Sequence, residues 1–574
     1  MKSSKFSSNL QARMDASMGR IPCDLLLKNG RVFDVFSARF VKTDLAIHQG
    51  VIVGLDRGYQ GKREVDLKGK AVVPGFIDAH VHIESSAMVP GTFEKAVLPK
   101  GTTRAICDPH ELANVLGRPG IQFFLDAAER TQMDLHIMMS SCVPATHLET
   151  NGGGSLEASV LSDLSRHPRA LGLAEMMNVP GVLNHDPSIH EKLSSFYGRP
   201  IDGHAPMLSG RELSAYACAG ITSCHESSEL LEAEEKLQKG VAVWIREGSV
   251  AKDLHRLIPL LNPSRSLTVG FCTDDRNPLD IQEEGHLDFL VRESLKAGVA
   301  PEVAYRAASF SVARHYGLDR ITASNLEKVG ALAPGYVADL IVLDDEFTCA
   351  ISQVYKKGVP VSELAFDPSL SRAGQNEKFE KTVHASVPSV TDLTGPSGNV
   401  HVMEVIPGKI LTGRRIDRSD ASGVARLSVL ERHGKGLKPA NAYVSGFGSG
   451  FRGAIASSVG HDSHNLIVVG SDPKEMQVAL SHLISSQGGF VVVQGEKVLA
   501  DLPLPFGGLM SDRSSSEIIQ GLKALRAASR SVGCELAEPF LQLAFLSLPV
   551  IPSLKLTDRG LVDVQKFDFI SVSA

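Results

Sequence analysis

The sequence predicts an α/β protein built on a (β/α)8 TIM barrel, with a small discontinuous β-sandwich domain and a C-terminal mixed α/β domain. Two observations favour the barrel over residues 74–326. Eight short apolar runs alternate with segments of helical character, and polar or ionisable residues follow each run. Eight βα units over roughly 250 residues match the size of this fold. The alternative is a doubly wound open sheet, which the absence of a G-x-G-x-x-G motif or P-loop disfavours.

The eight predicted barrel strands come in a regular order along the chain. They are GFIDAHVH (75–82), TTRAICDPHE (102–111), LHIMMSSCVPAT (135–146), ALGLAEMMN (170–178), PIDGHAP (200–206), GITSCHES (220–227), VAVWIREGS (241–249) and SLTVGFCTDD (266–275). In a TIM barrel the carboxyl ends of the strands and the loops after them form the active-site face. The polar residues that end these runs are therefore expected to meet there.

The other domains are predicted from changes in local composition and in the lengths of the apolar runs. Short extended runs broken by Gly and Asp turns predict a small all-β unit over residues 1–73. Similar pieces return in EKVGALAPGYVADLIVLDDE, so residues 327–375 are expected to complete that unit. A Ser-, Asp- and Gly-rich stretch at 366–399 marks a boundary. Residues 376–574 then mix strands and helices, which predicts a C-terminal α/β domain.

Composition and charge exclude several function classes. Hydrophobic residues at 43% and charged residues at 22% are ordinary globular proportions. The formal net charge of −6 gives no attraction to nucleic acid or to an anionic membrane. The N-terminus lacks an apolar signal segment and no stretch approaches the roughly 18 apolar residues of a membrane span, so we expect a soluble cytoplasmic protein. Eight cysteines without a C-x-x-C motif predict reduced thiols and argue against a zinc finger or the cytidine-deaminase signature.

His80 and His82 stand one residue apart at the end of the first apolar run. Residues i and i+2 of a strand share a face, so the two imidazoles can converge on one point. An H-x-H pair alone is more often structural than metal-binding, because a catalytic metal site needs about three protein ligands. The other predicted strand ends supply further ligand types: His110, Glu111, Glu175, His204, His225, Glu226, Asp274 and Asp275. Their joint position at one end of one barrel predicts a divalent-metal site.

The pattern of these residues resembles the amidohydrolase superfamily. The resemblance lies in HVH on the first strand, single histidines on the fifth and sixth, and an aspartate on the eighth. Members hold one or two divalent metals at the mouth of a TIM barrel, and in many a carboxylated lysine on the fourth strand bridges them. This chain departs from that pattern, since no lysine lies between Arg166 and Glu191. Glu175 is the acidic side chain positioned to bridge instead.

Longer stretches resemble one branch of that superfamily, the bacterial adenine deaminases. They include IDAHVHIESS, DPHELANVLG, AEMMN, FCTDDR, GHDSHN and PLPFGGLMSD, and the resemblance covers nearly the whole chain. It implies hydrolytic deamination of adenine to hypoxanthine and ammonia, a homo-oligomer, and two divalent metal ions, with Mn²⁺ or Fe²⁺ favoured and Zn²⁺ as a further option. Two positions depart from the branch: Cys224 stands where Asp is expected, and Lys100 where His is usual.

The resemblance also implies roles for individual residues. One metal goes to His80, His82 and Asp274, the other to His204 and His225, and Glu175 bridges both alongside a hydroxide. Asp274 is expected to take the hydroxide proton and pass it to the leaving amine. Glu111 and Asp275 are candidates for proton exchange with the purine ring nitrogens.

Other interpretations stay open on the sequence. The same metals would serve an amidohydrolase acting on a cyclic amide, an N-acyl group or a related aminopurine. From a different class, the chain could be a non-catalytic barrel used for binding. In the C-terminal region, His433, His461, Asp462 and His464 could form a further metal site, reach over the barrel mouth as a lid, or belong to a structural turn.

Overall fold

The structure is a computed structural model that describes residues 2–321, 327–371, 377–436 and 438–574, with side chains described from residue 9 onward. Residues 326, 375 and 376, where two predicted domain boundaries fall, lie outside these ranges. Within them, no helix is long and apolar enough to cross a membrane. The eight cysteines are free thiols, as predicted.

The chain begins with a helix and a small β region. Its elements are α1 (Lys2–Ser17), β1 (Cys23–Asp34), β2 (Arg39–His48), β3 (Val51–Gly54), β4 (Gly61–Asp66) and β5 (Ala71–Pro74). Strand β1 pairs antiparallel with β2 and, along its other edge, parallel with both β4 and β5. Strand β1 carries a register shift between Leu27 and Gly30 in its pairing with β2.

Eight parallel strands follow and form the predicted barrel. They are β6 (Phe76–Val81), β7 (Thr102–Cys107), β8 (Asp134–Met139), β9 (Ala170–Met176), β10 (Ile201–Gly203), β11 (Ser223–Cys224), β12 (Ala242–Arg246) and β13 (Val269–Cys272). They are hydrogen-bonded in sequence order from β6 to β13. At the seam, the Asp274 amide donates to His80 O (3.0 Å) and the His82 amide to Asp274 O (3.3 Å). The predicted fold class is confirmed. No barrel strand extends more than one residue outside its predicted run.

Helices connect the barrel strands and cover their outer faces. They are α2 (Pro90–Val97), α3 (His110–Leu116), α4 (Arg118–Ala128), α5 (Ala158–Leu164), α6 (Val179–Leu183), α7 (Pro187–Ser195), α8 (Gly210–Cys218), α9 (Leu230–Gln238), α10 (Leu254–Leu257), α11 (Pro278–Glu283), α12 (Leu287–Lys296), α13 (Pro301–Ala307) and α14 (Phe310–His315). Helix α12 buries Leu287, Leu290, Val291 and Ser294, a stripe with helical spacing. This stripe is what holds such a helix against the sheet.

An apolar layer underlies the polar residues at the strand ends. Ile106, Met138, Trp244 and Cys272 belong to one buried cluster. Each lies two residues before a polar side chain, namely Asp108, Ser140, Arg246 and Asp274, so the members of each pair share a strand face. The polar groups therefore rest on a packed apolar floor that fixes their height in the barrel.

After the barrel the chain returns to the N-terminal β region. Strands β14 (Leu340–Asp345), β15 (Ala350–Lys356) and β16 (Val359–Pro360) continue its sheet, with β14 antiparallel to β5. The strands surround a common core that includes Leu25, Leu45, Ile52, Val72 and Leu340. Segments from both sides of the barrel thus complete one β unit, as predicted for the fold.

The C-terminal region has a second mixed sheet and a short three-stranded sheet. Its strands are β17 (Asn399–Val405), β18 (Thr412–Arg418), β19 (Val424–Leu430), β20 (Ala440–Ser445), β21 (Ala454–Ser457), β22 (Leu466–Gly470), β23 (Gly489–Gln494), β24 (Lys497–Pro503), β25 (Leu554–Thr557), β26 (Gly560–Asp563) and β27 (Asp568–Phe569). The helices are α15 (Glu377–Glu380), α16 (Pro473–Ser485), α17 (Ser515–Ser531) and α18 (Pro539–Ala544). The predicted mixed α/β character of this region is confirmed.

Hydrogen bonds join the C-terminal region to the loop after β8. The Thr150 amide donates to Asp558 Oδ1 (2.9 Å), and Asn465 Nδ2 donates to Thr150 O (2.8 Å). Thr557 Oγ1 donates to Leu148 O (2.7 Å). These contacts place the C-terminal region over the mouth of the barrel.

Candidate metal centre at the barrel mouth

His80 and His82 lie together at the carboxyl end of β6, and both are buried. Their Nε2 atoms are 3.0 Å apart. His82 Nδ1 lies 2.9 Å from the backbone oxygen of Asp108, an acceptor, so this nitrogen carries the proton. His82 Nε2 is then a lone-pair donor that points at the neighbouring imidazole. Two imidazole nitrogens converging on one point is a geometry suited to binding a cation.

Glu175, at the end of β9, stands between two sets of histidines. Its Oε1 lies 3.7 and 3.4 Å from Nε2 of His80 and His82. Its Oε2 lies 2.7 Å from His204 Nδ1 and 3.3 Å from His225 Nε2. The two carboxylate oxygens therefore face different imidazole pairs.

Asp274 follows β13 and faces the first histidine pair. Its Oδ1 lies 3.5 and 3.2 Å from Nε2 of His80 and His82. Its backbone φ of 53° is in the left-handed region, where non-glycine residues are uncommon and cluster at functional sites. On its other side, Asp274 Oδ2 accepts a hydrogen bond from Arg246 Nη1 (3.1 Å).

Arg246, at the end of β12, is the buried cation of the site. It pairs with Glu226 and donates to Asp253 Oδ2 (3.1 Å) as well as to Asp274. Glu226 Oε1 lies 3.8 Å from both His204 Nδ1 and His225 Nε2. Sequence reasoning assigned no role to Arg246, although a basic residue ending the seventh run was a usable signal.

The electrostatic field of this cluster keeps its key carboxylates ionised. Burial alone raises the pKa of Glu175, but hydrogen bonds from His110, His204 and His225 hold it well below its usual range. Burial likewise opposes ionisation of Asp274, and His80, His82 and Arg246 hold its pKa well below the ordinary value. Both residues are therefore anions that can accept protons or bind a cation.

His110 and Asp108 come from the loop after β7. His110, the first residue of α3, has its Nδ1 3.0 Å from Asp108 Oδ2 and 3.3 Å from Glu175 Oε1. Asp108 Oδ1 accepts from Ser140 Oγ (2.7 Å). The sequence places His110 among the candidate ligands at the strand ends but in neither of the two metal sets, and Asp108 of the same CDPHE segment is not among its candidates.

Glu111 and Asp275 form a second polar group beside the histidines. Ser85 Oγ donates to Glu111 Oε1 (2.7 Å) and also to Asp275. Glu111 Oε2 is buried without a hydrogen-bond partner. Burial and the charge of Asp274 raise the pKa of Asp275. This arrangement leaves carboxyl oxygens that could exchange protons with a ligand.

A small cavity opens at this cluster, with about 20 Å³ of free volume. That is about the room one water molecule needs. Histidines, carboxylates and Arg246 form one wall. Met177, Ile410, Phe545 and Leu548 supply apolar surface, three of them from the C-terminal region. A flat ring with polar edges fits such a lining.

The C-terminal histidines divide into two groups. His461 and Asp462 line the cavity. His433 Nε2 instead lies 3.1 Å from Ser463 O, and His464 Nδ1 accepts from the Gly460 amide (3.3 Å). The GHDSHN segment is thus both a buried turn and part of the cover over the barrel mouth.

The residues that depart from the expected pattern stand apart from the cavity. Cys224 is buried in β11 and Lys100 ends a short turn before β7, and neither is among the described residues that line the cavity. Arg276 donates to Glu247 O (3.0 Å) and pairs with Glu284 (2.6 Å), which is a structural role.

The donor set fits divalent cations. Ligand atoms of His80, His225 and Asp274 lie within 4.8 Å of one another, as do those of Glu175, His204 and His225. Nε2 of His225 is buried without a hydrogen-bond partner. Imidazole and carboxylate groups in this number are the usual ligands of zinc, iron and manganese.

A parallel barrel with histidines and carboxylates at its mouth defines a metal-dependent hydrolase of the amidohydrolase class. The model of the Amidohydrolase family matches residues 71–361, and the family uses divalent metal. The model of the Adenine deaminase C-terminal domain matches residues 409–568. The chain belongs to the adenine deaminase branch of the amidohydrolase family.

Curated relatives support this membership. Adenine deaminase of Cereibacter sphaeroides strain KD131 is 47% identical over 98% of this chain and 100% of its own length. Adenine deaminase 1 of Agrobacterium fabrum is 46% identical over 98% of both chains. Apart from these relatives, a crystal structure of an amidohydrolase is similar over 60% of this chain and 99% of its own length, at 17% identity and a TM-score of 0.41.

Proposed function

We propose that this protein is an adenine deaminase that hydrolyses adenine to hypoxanthine and ammonia. The observation that carries the proposal is the position of Glu175, whose two oxygens face two separate histidine pairs at the barrel mouth. Relatives at 46–47% identity over nearly full length carry the name of this activity. The reaction forms a C6–O bond, breaks the bond from C6 to the exocyclic nitrogen and releases that nitrogen as ammonia.

We assign two divalent cations to the cluster. His80, His82 and Asp274 would hold one, His204 and His225 would hold the other, and Glu175, whose oxygens face both histidine pairs, would be a ligand shared by the two. When bound, such cations lower the pKa of water to about 7, which supplies the nucleophile at neutral pH. Mn²⁺ or Fe²⁺ is favoured by the family resemblance, and Zn²⁺ suits the same ligands.

Asp274 is the proton carrier in this proposal. Its Oδ1 lies on the histidine side of the cavity and its Oδ2 is held by Arg246. The guanidinium keeps the carboxylate ionised, so it can accept the proton of the attacking water. Passing that proton to the exocyclic nitrogen makes ammonia the leaving group. A positioned acid or base of this kind typically gives about 10²–10⁴-fold in rate.

Glu111 and Asp275 exchange protons with the purine ring. Asp275 lines the cavity, and Ser85 ties the Glu111 carboxyl to it. As water adds to C6, negative charge develops on the ring nitrogens, which a carboxyl proton can neutralise. The apolar side chains of Ile410, Phe545 and Leu548 cover the ring faces and exclude bulk water.

We infer a homo-oligomeric, cytoplasmic enzyme from the same family resemblance. Size-exclusion chromatography with light scattering on the full chain tests the oligomeric part, and a monomeric mass would contradict it.

A substrate panel tests the activity. Ammonia release and the ultraviolet absorbance change are measured with adenine, guanine, adenosine and cytosine on protein of known metal content. Turnover of adenine alone is the expected result. Turnover of adenosine but not adenine, or of a cyclic amide instead of any purine, would overturn the proposal.

A further inference from the structure

The C-terminal region brings its own metal-ligand types to the barrel mouth. His110 Nε2, from α3, lies 3.8 Å from Asp462 Oδ1, and His461 Nδ1 lies 3.6 Å from the same oxygen. Ligand atoms of these three residues all lie within 4.8 Å of one another. Neighbouring ligands of a tetrahedral cation with bonds of about 2.0 Å are about 3.3 Å apart. The observed separations differ from that value by a few tenths of an ångström.

The surroundings orient these ligands. Asp108 Oδ2 accepts from Nδ1–H of His110, which leaves Nε2 of His110 as the lone-pair nitrogen turned to Asp462. A carboxylate behind a histidine is the usual support of a metal-binding imidazole. The His461 ring stacks on Phe545, with centroids 4.5 Å apart and planes at 13°. Asp462 Oδ2 is buried without a hydrogen-bond partner.

Charge balance gives an independent argument. Five carboxylates line the cavity, and two more contact its histidines: Glu175, Glu226, Asp274, Asp275, Asp462, Asp108 and Glu111. With one carboxyl of the Ser85-linked pair, Glu111 and Asp275, protonated, the remaining six anions still exceed the five positive charges of Arg246 and the two cations of the proposed pair. Buried carboxylates that lack a counter-charge are costly, so a further cation in this part of the site offsets that cost.

We infer that His110, His461 and Asp462 form an additional divalent-cation site that joins the C-terminal region to the barrel. Its ligands suit Mn²⁺, Fe²⁺ or Zn²⁺, with positions left for water. A cation there connects α3 to the loop before β22 and holds the cover over the cavity. The site lies beyond the proposed catalytic pair, and its existence does not depend on which substrate the enzyme turns over.

The test is a metal count on the full chain. Wild-type protein, Asp462→Asn and His461→Gln are saturated with Mn²⁺, desalted and measured by elemental analysis. Each variant is expected to hold one equivalent of Mn²⁺ per chain less than the wild type, whatever amount the wild type holds. His464→Gln is the matched control, because this buried histidine of the same turn faces Gly460 and should keep the wild-type count.

Equal counts in wild type and Asp462→Asn would overturn the inference, with protonated His461 then supplying the counter-charge. If the variants fold poorly, crystals of the wild-type protein loaded with Mn²⁺ test the site instead. Anomalous maps recorded above and below the manganese edge should show a peak between His110, His461 and Asp462, and its absence refutes the site. Failure of adenine turnover would leave these readouts unchanged, so the two proposals are tested separately.

Discussion

Replacing Glu175 by glutamine separates a bridging ligand from a merely structural acid. The side chain keeps its volume, but one carboxylate oxygen becomes an NH2 group that can neither accept a proton nor bind a cation. Both oxygens face imidazoles, at 3.4 Å from His82 and 2.7 Å from His204, so either orientation of the amide removes one ligand. The negative charge between the histidine pairs is lost in both cases.

The expected loss of metal affinity in Glu175→Gln follows from what substitutions cost at known metal sites. Changing a residue that only supports a ligand costs about 10–100-fold in metal affinity. Loss of a carboxylate that faces the cations directly should cost at least about 100-fold, or about 2.8 kcal/mol at about 1.4 kcal/mol per tenfold. At limiting free metal, kcat/KM for adenine should fall by at least the same factor, and excess Mn²⁺ should restore part of it.

The assay compares Glu175→Gln with Glu94→Gln at equal buffered Mn²⁺. Glu94 is a buried carboxyl on α2 and is not among the described residues that line the cavity. It accepts a hydrogen bond from the Met133 amide (3.0 Å), which a glutamine oxygen can also do. Bound metal is measured by elemental analysis and turnover by absorbance. Full metal affinity and turnover in Glu175→Gln would refute the bridging role.

Three further outcomes are expected. Arg246→Met leaves buried carboxylates unpaired, so urea unfolding should show the free energy of unfolding falling by about 3–5 kcal/mol. Because the pKa of Asp274 then rises, the acid limb of the pH–rate profile should move to higher pH. An unchanged profile contradicts this. Glu111→Gln should lower kcat/KM for adenine about tenfold or more, since a hydrogen bond to a charged group contributes about 1.5–3 kcal/mol, with metal content unchanged as the check. Burial raises the pKa of Glu94 from 4.5 to about 7. The native state therefore retains this proton to higher pH than the unfolded chain, and stability falls as pH rises through that window. Denaturant titrations should show Glu94→Gln gaining up to about 3 kcal/mol on wild type between pH 4 and pH 8, and a constant difference contradicts the assignment.

Much of the barrel was predictable because its signals are local. An apolar run of strand length followed by polar residues predicts both a strand and a catalytic end, and β6 and β13 show this directly. The short β11 spans only Ser223 and Cys224, and it lies inside the run at 220–227 that the sequence predicts. Residue roles taken from the family resemblance stay predictions until the variants above are measured.

Other features of the site were not predictable from local pattern. Arg246 could have been a surface cation, and its three carboxylate partners come from positions 7 to 28 residues away along the chain. Asp108 acts through His110, which depends on how α3 begins. His461 and Asp462 come nearly 190 residues after the last barrel strand, which ends at Cys272, so only packing of the C-terminal region shows that they reach the cavity.

The sequence by itself determined the order of the barrel strands, the types of ligand at their ends and the family of the chain. These depend on strand periodicity and on residue identity, which are properties of short segments. Only the tertiary structure decided that the two oxygens of Glu175 face different histidines, that Arg246 holds Asp274, and that the C-terminal region closes the cavity. Those relations are distances between groups remote in sequence, and side-chain packing across many elements sets them to within a fraction of an ångström.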